Sequence, residues 1–150
     1  MINADEYKKT APGRRKALTA KRRARLIGAA VAARDNAYAP YSRYKVGAAL
    51  LGENGKIYTG CNFENAAFGA GTCAERVALG AAIADGTRKF IALAVAGADN
   101  TVTPCGICRQ ALWEFGDIPV LCTSPEGDPA EVKEYRLKKL LPEGFGPEQL

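Results

Sequence analysis

Residues 46–60 read Val-Gly-Ala-Ala-Leu-Leu-Gly-Glu-Asn-Gly-Lys-Ile-Tyr-Thr-Gly, and this stretch decides the fold. Asn54-Gly55 lies between two strand-like runs, 46–51 and 56–60, and Asn-Gly in that setting is the strongest short-range hairpin signal. An antiparallel pair therefore anchors whatever surrounds it. Upstream, Leu26, Ala29, Ala30, Ala33 and Ala37 recur at helical spacing, predicting a helix from Thr19 to near Ala39-Pro40. Downstream, an irregular segment over 62–71 leads to a helix over 73–85, closed by Gly86. The unbroken apolar run over 90–97 suits a buried central strand. Thr103-Pro104 supplies an N-cap and a first-turn proline for a third helix, which Phe115-Gly116 closes. Strands over 118–123 and 132–135 and a helical turn over 137–141 complete the chain before Pro142. This order with short connections predicts an α/β fold, a three-layer α/β/α sandwich around a mixed, roughly five-stranded sheet.

The chain has 150 residues, 47% hydrophobic and 25% charged, which excludes wholesale disorder and low-complexity architectures. No run approaches the roughly 18 to 20 apolar residues of a membrane span, and the N-terminus is charged where a signal peptide would be apolar. A soluble, cytoplasmic protein with no membrane partner is expected. The net charge of +5 is unevenly placed: residues 1–25 hold nine basic side chains against Asp5 and Glu6, so the remainder carries −2. Residues 1–18, with no apolar period and with Pro12-Gly13, are expected to form a basic, flexible extension ahead of a single domain over 19–150.

The chain contains five cysteines and no histidine. The odd count defeats a closed set of disulfides, and the missing imidazole removes Ser-His-Asp and Cys-His nucleophile machinery together with every His-containing zinc site. Attention falls on Cys73-Ala74-Glu75 at the start of the second helix and Pro104-Cys105-Gly106-Ile107-Cys108 at the start of the third. Helix N-termini lower thiol pKa values and favour the thiolate that zinc requires. Three thiolates leave a fourth position for water, as in catalytic rather than structural zinc sites. Other readings stand beside this one. Thr72-x-x-Glu75 also reads as a capping box, Cys-x-x-Cys as a redox pair, and Cys61 or Cys122 as a fourth ligand of a structural site. Both of those cysteines fall in strand-like surroundings where buried free thiols are common.

Taken together, Cys-x-Glu and Pro-Cys-x-x-Cys resemble the signature of zinc-dependent nucleobase and nucleoside deaminases, with cysteine in place of the histidine ligand. Ala39-Pro40-Tyr41-Ser42, Val46-Gly47-Ala48-Ala49, Gly60-Cys61-Asn62-Phe63-Glu64-Asn65-Ala66, Cys73-Ala74-Glu75-Arg76, Pro104-Cys105-Gly106-x-Cys108-Arg109-Gln110 and Leu140-Leu141-Pro142 are similar to the small, tetrameric cytidine deaminases. The resemblance covers about residues 22–150. It implies one Zn2+ per chain on Cys73, Cys105 and Cys108, with Glu75 as general acid/base in the attack of hydroxide on C4 of cytosine. Arg76 and Arg109 would withdraw charge from the ligand sulfurs. Asn62 and Glu64 would grip the ribose 3′-hydroxyl, and Ala74 would meet the exocyclic part of the base through its backbone. Phe68 would pack at the pocket, and Phe145 would reach a neighbouring subunit's site in a homotetramer with shared active sites. Both phenylalanines also read as plain packing residues, and both arginines as surface charges. Tyr44 stands where the family usually carries a base-stacking phenylalanine, adding a hydroxyl that must be solvated or paired.

The implied reaction is hydrolytic deamination of free cytidine and 2′-deoxycytidine. A relative acting on a modified aminonucleoside such as blasticidin S would share the ligand motif, but the run over 60–65 favours cytidine. Nucleic acid is not expected as a partner, because the basic segment lacks an RNA-recognition motif with interleaved aromatics. An inactive structural zinc protein is disfavoured by Glu75 beside an open coordination position.

Overall fold

The computed structural model describes residues 16–98 and 101–149. Along the chain run α1 (Ala20–Arg34), β1 (Gly47–Gly52), β2 (Ile57–Cys61), α2 (Ala74–Ala84), β3 (Phe90–Ala96), α3 (Gly106–Trp113), β4 (Pro119–Thr123), β5 (Lys133–Arg136) and α4 (Leu137–Leu140), with a 3-10 turn at Phe68–Ala70 before α2. The strands form one sheet in the order β2-β1-β3-β4-β5. Only the β3–β4 pair is parallel, so the sheet is mixed. That parallel pair needs a crossover, and α3 supplies it.

Strand alternation sorts the core into two faces. Ala48, Leu50, Leu93, Val95, Val120 and Cys122 pack with α2 and α3, joined by Phe90, whose ring meets Phe115 edge-on at 5.3 Å. Ala49, Leu51, Ala92, Ala94, Ala96 and Leu121 face the opposite way, onto Leu26, Ile27 and Ala30 of α1. Both faces of β3 are therefore covered, which is why its sequence is apolar without a break. The result is the expected α/β/α sandwich with five strands.

Two glycines bring helices directly onto the sheet backbone. A Cβ on Gly47 would press on the Ala30 carbonyl and the Arg34 backbone, with the Arg34 Cα at 2.8 Å. On the other face, a Cβ on Gly60 would lie 2.5 Å from the Ala78 nitrogen and closer still to the Ala74 carbonyl oxygen. The first turn of α2 is thus seated on bare strand.

Several boundaries differ from expectation by a residue or more, and three at helix ends have identifiable partners. The first helix stops at Arg34, because the following backbone finds other partners: the Tyr38 N–H donates to the Asn62 carbonyl at 3.0 Å, and the Glu64 N–H to the Tyr38 carbonyl at 2.8 Å. The second begins at Ala74 with Cys73 as its N-cap. The third begins at Gly106 with Cys105 as N-cap, while the Thr103 hydroxyl accepts a bond from Arg109. Of the expected N-terminal extension, residues 1–15 lie outside the described residues, whereas Leu18 packs against the core beneath α1. Among the described residues no helix is long and apolar enough to cross a membrane.

Candidate active site

The seating of α2 on Gly60 and the short β3–α3 connection bring two helix starts together. Cys73 caps α2, Cys105 caps α3, and Cys108 lies one turn into α3. Their sulfurs all lie within 4.8 Å of one another, and Cys73 Sγ to Cys105 Sγ measures 3.8 Å. Sulfurs on two corners of a tetrahedral zinc site, each about 2.3 Å from the metal, are separated by about 3.8 Å. The geometry fits one ion held by three thiolates. Cys61 and Cys122 stand outside this group, so no four-cysteine site forms. All five cysteines are free thiols.

Electrostatics within the cluster are those of donors that share a cation. Burial, then the negative charge of Glu75, pushes the Cys73 and Cys108 thiols up. Burial also opposes ionisation of Cys105, but bonds from the Cys108 and Ile107 amides and the neighbouring thiols bring it below the ordinary thiol range. A bound cation removes the mutual repulsion.

Glu75 is 4% exposed. Burial raises its pKa, with its own amide, Cys108 and Arg76 pulling partly the other way. A carboxyl held toward its neutral form beside a metal site is suited to carrying a proton in both directions. The capping-box alternative fails on frame. Cys73, not Thr72, is the N-cap, and the helix start has no side-chain cap bond. Burial works against the charge of Arg76, but bonding and attraction to the Cys73 and Cys108 sulfurs outweigh it. Its Nε is buried with no partner among the described residues. Arg109 differs from its expected place at the sulfurs. Its guanidinium donates to the carbonyls of Pro104 and Leu140 at 2.6 and 2.7 Å and to the Thr103 hydroxyl at 2.9 Å. A planar fork matches three acceptors on two segments, so Arg109 ties the loop before Cys105 to the end of α4.

Beside the cluster opens a cavity of about 610 Å³, lined among others by Ser42, Asn62, Glu64, Phe68, Cys73 and Arg76. Asn62 and Glu64 share it with the intervening Phe63. Both also hold their own chain. Asn62 Oδ1 accepts from the Val46 N–H and its Nδ2 donates to the Tyr44 carbonyl, each at 2.8 Å. Glu64 accepts from the Tyr41 and Ser42 amides at 2.9 and 3.1 Å and from the Ser42 hydroxyl. Phe68 is 87% exposed at the cavity rim. Ala74 is fully buried, and Tyr44 and Phe145 are exposed but outside the cavity lining of the single chain.

The family model described as the cytidine and deoxycytidylate deaminase zinc-binding region matches residues 20–123. The chain belongs to this family. The family is zinc-binding, and Cys73, Cys105 and Cys108 are a group that could hold the ion. Among deaminase relatives, a cytidine deaminase of Sporosarcina psychrophila is 49% identical over 84% of this chain and 93% of its own length. One of Mycobacterium tuberculosis is 42% identical over 83% of this chain and 90% of its own length. A crystal structure of cytidine deaminase from Burkholderia pseudomallei superposes with a TM-score of 0.74 at 46% identity, covering 81% of this chain and 97% of that one.

One group beside this deaminase site, Ser42, escaped the sequence reading, while Cys122 is the buried packing thiol that the sequence predicts. Ser42 was visible only as part of a motif, and its bonds to Glu64 and Tyr44 need the folded turn. Cys122, on β4, has its thiol pushed up to about 12 by burial and then by the charge of Glu75, so it lies beneath the site as packing. Alternation along β4 was the available signal: it points Cys122 to the same face as Val120.

Proposed function

We propose that this chain deaminates free cytidine and 2′-deoxycytidine to uridine and 2′-deoxyuridine, releasing ammonia. The observation that carries the reading is the coincidence of three cysteine sulfurs at zinc spacing with a buried carboxyl two residues from Cys73, which itself lines a cavity shared with Asn62 and Glu64. Zinc, when bound, supplies Lewis acidity that makes hydroxide available near neutral pH. Cys73, Cys105 and Cys108 fix it, and Arg76 draws charge from two of those sulfurs. Glu75 takes one proton of the attacking water and delivers it to ring N3, then takes the remaining proton from the new C4 hydroxyl and hands it to the departing amine, leaving the C4 carbonyl. Water adds at C4 and the amino group leaves as ammonia, so the reaction consumes one water per nucleoside.

Asn62 and Glu64 receive the sugar's 3′-hydroxyl, and the Ala74 backbone receives the exocyclic group of the base. Tyr44 lies on the base, and Phe68 closes the rim. Phe145 serves the site of another subunit in a homotetramer. The exposure of Phe68 at 87% and Phe145 at 58% supports that assembly, because large aromatic side chains favour a covered site. The deaminase domain spans 19–150, with residues 1–18 as a basic extension. Free thiols at the metal site suit a reducing compartment and support a cytoplasmic protein.

The test is ultraviolet monitoring of cytidine loss by the purified protein alongside Glu75→Gln, with zinc measured in both. Turnover by the parent at about one zinc per chain, and a zinc-loaded but inert variant, is expected. Unchanged turnover in the variant would falsify the proton-shuttle role.

A further inference from the structure

At the edge of the cavity, residues 41–44 form a turn whose bonds make one chain. The Tyr44 N–H donates to Ser42 Oγ at 3.0 Å, and the Ser42 hydroxyl donates its single proton to Glu64 Oε1. The two bonds are compatible only in that sense, because the amide can only donate and the carboxylate can only accept. Chains of this kind polarise one another, so each bond strengthens the next. Asn62 closes the bracket from the other side, donating from Nδ2 to the Tyr44 carbonyl. Both peptide groups of Tyr44 are thereby tied to the two side chains read as sugar contacts.

The turn does not take this shape unaided. Arg43, between Ser42 and Tyr44, sits at φ 60°, in the left-handed region that non-glycine residues occupy only where surroundings over-determine it. It is held by the Arg43 N–H donating to the Ala39 carbonyl at 3.0 Å and by the Glu64 carboxylate, which accepts from Tyr41 N, Ser42 N and Ser42 Oγ. A carboxylate has about four acceptor positions. Three are filled from the turn, and the one that remains, on Oε1 beside the Ser42 hydroxyl, is free for one donor from the cavity.

The geometry points to Ser42 as a positioning residue for sugar specificity: its hydroxyl aims the last free acceptor of Glu64 at a hydroxyl donor of the nucleoside and ties that aim to the placement of Tyr44. The inference rests on the reading of Glu64 as the sugar contact. A nucleoside lacking the 3′-hydroxyl leaves this acceptor unpaired, and Ser42 sets how much that costs.

The experiment compares kcat and KM for 2′-deoxycytidine and 2′,3′-dideoxycytidine in the parent protein, Ser42→Ala and Ser42→Thr. The parent is expected to prefer the hydroxyl-bearing substrate by about 10- to 100-fold in kcat/KM, the range of a hydrogen bond to a charged group. Ser42→Ala should shrink that preference at least fivefold, through KM for 2′-deoxycytidine with kcat within about twofold. Ser42→Thr, which keeps the hydroxyl, should restore it. A strong preference in the parent that survives intact in Ser42→Ala overturns the role of Ser42 and leaves the Glu64 reading standing. A parent that does not distinguish the two substrates overturns the Glu64 reading itself. Should Ser42→Ala not fold, Ser42→Cys, a weaker donor of similar shape, carries the same comparison.

Discussion

Placing a methyl group on Gly60 separates the contact that seats the metal site from the chemistry it serves. In Gly60→Ala the added carbon would meet the Ala78 nitrogen at 2.5 Å, Val77 Cβ at 2.9 Å, and the Ala74 carbonyl oxygen closer than either. Two of the three are helix backbone, so no side-chain rotation relieves them. To restore ordinary contact, the first turn of α2 must retreat by roughly 1 Å, and Cys73 and Glu75 move with it. Overpacking of this kind costs about 1–3 kcal/mol, and in a chain of this size it lowers Tm by about 3–10 °C. Misplacing reacting groups by about 1 Å costs on the order of 100-fold in rate, so kcat should fall by about that factor. Gly80→Ala is the control. It lies on the same helix with nothing within 4 Å of its added carbon, and it should gain about 1 kcal/mol from helix propensity without touching kcat. Thermal melts, zinc content and cytidine turnover are measured for both variants. If Gly60→Ala melted as the parent does, or lost stability with kcat unaltered, the link between that contact and the site would be refuted.

Three further outcomes follow from the same structure. Stripping zinc with a chelator removes ligand-linked stability, about 4 kcal/mol where free zinc stands 1,000-fold above its dissociation constant, and calorimetry of metal-free and metal-loaded protein should show that loss. Phe90→Ala empties a fully buried position and its edge-on contact with Phe115, so urea denaturation should report a loss of about 3–5 kcal/mol. Asp85 is held below the usual carboxylate range by bonds from Lys56 and Tyr58. Its contribution is therefore complete above the unfolded aspartate pKa and disappears as pH falls through the lower, folded value. The stability gap between the parent and Asp85→Asn should then be present at pH 7 and shrink as pH falls below the ordinary aspartate range, as followed by urea midpoints.

The parts of this fold legible in the sequence were those set by local chemistry. Asn54-Gly55 determined the hairpin, the apolar run over 90–97 the central strand, and the paired cysteine motifs the metal cluster. Local patterning misled where a distant segment competed for the same backbone. Helical spacing through Ala37 extended the first helix on paper, yet the Tyr38 amide and carbonyl go to residues 62 and 64. Thr103-Pro104 has the composition of a helix start, but Cys105 takes the cap and the Thr103 hydroxyl serves Arg109. Arg109 itself follows a ligand cysteine, and adjacency says nothing about where a long side chain turns. Its acceptors include the carbonyl of Leu140, 31 residues away. The dual duty of Asn62 and Glu64, lining the cavity while bonding the turn at 41–46, was equally hidden, because it depends on the path of a loop.

Gly47 and Gly60 are near neighbours in the register of β1 and β2, where Gly47 faces Cys61 and Ala48 faces Gly60. They press on opposite helices, so at this corner α1 and α2 are separated by little more than a single layer of bare sheet backbone. For an engineer seeking to admit bulkier nucleosides, the floor of the site is closed to change: any side chain there displaces a layer of the protein along with the zinc ligands. The rim is different. Tyr41, Phe63 and Phe68 border the same cavity with their side chains exposed, so variation at those three positions can reshape the entrance while the metal stays where it is.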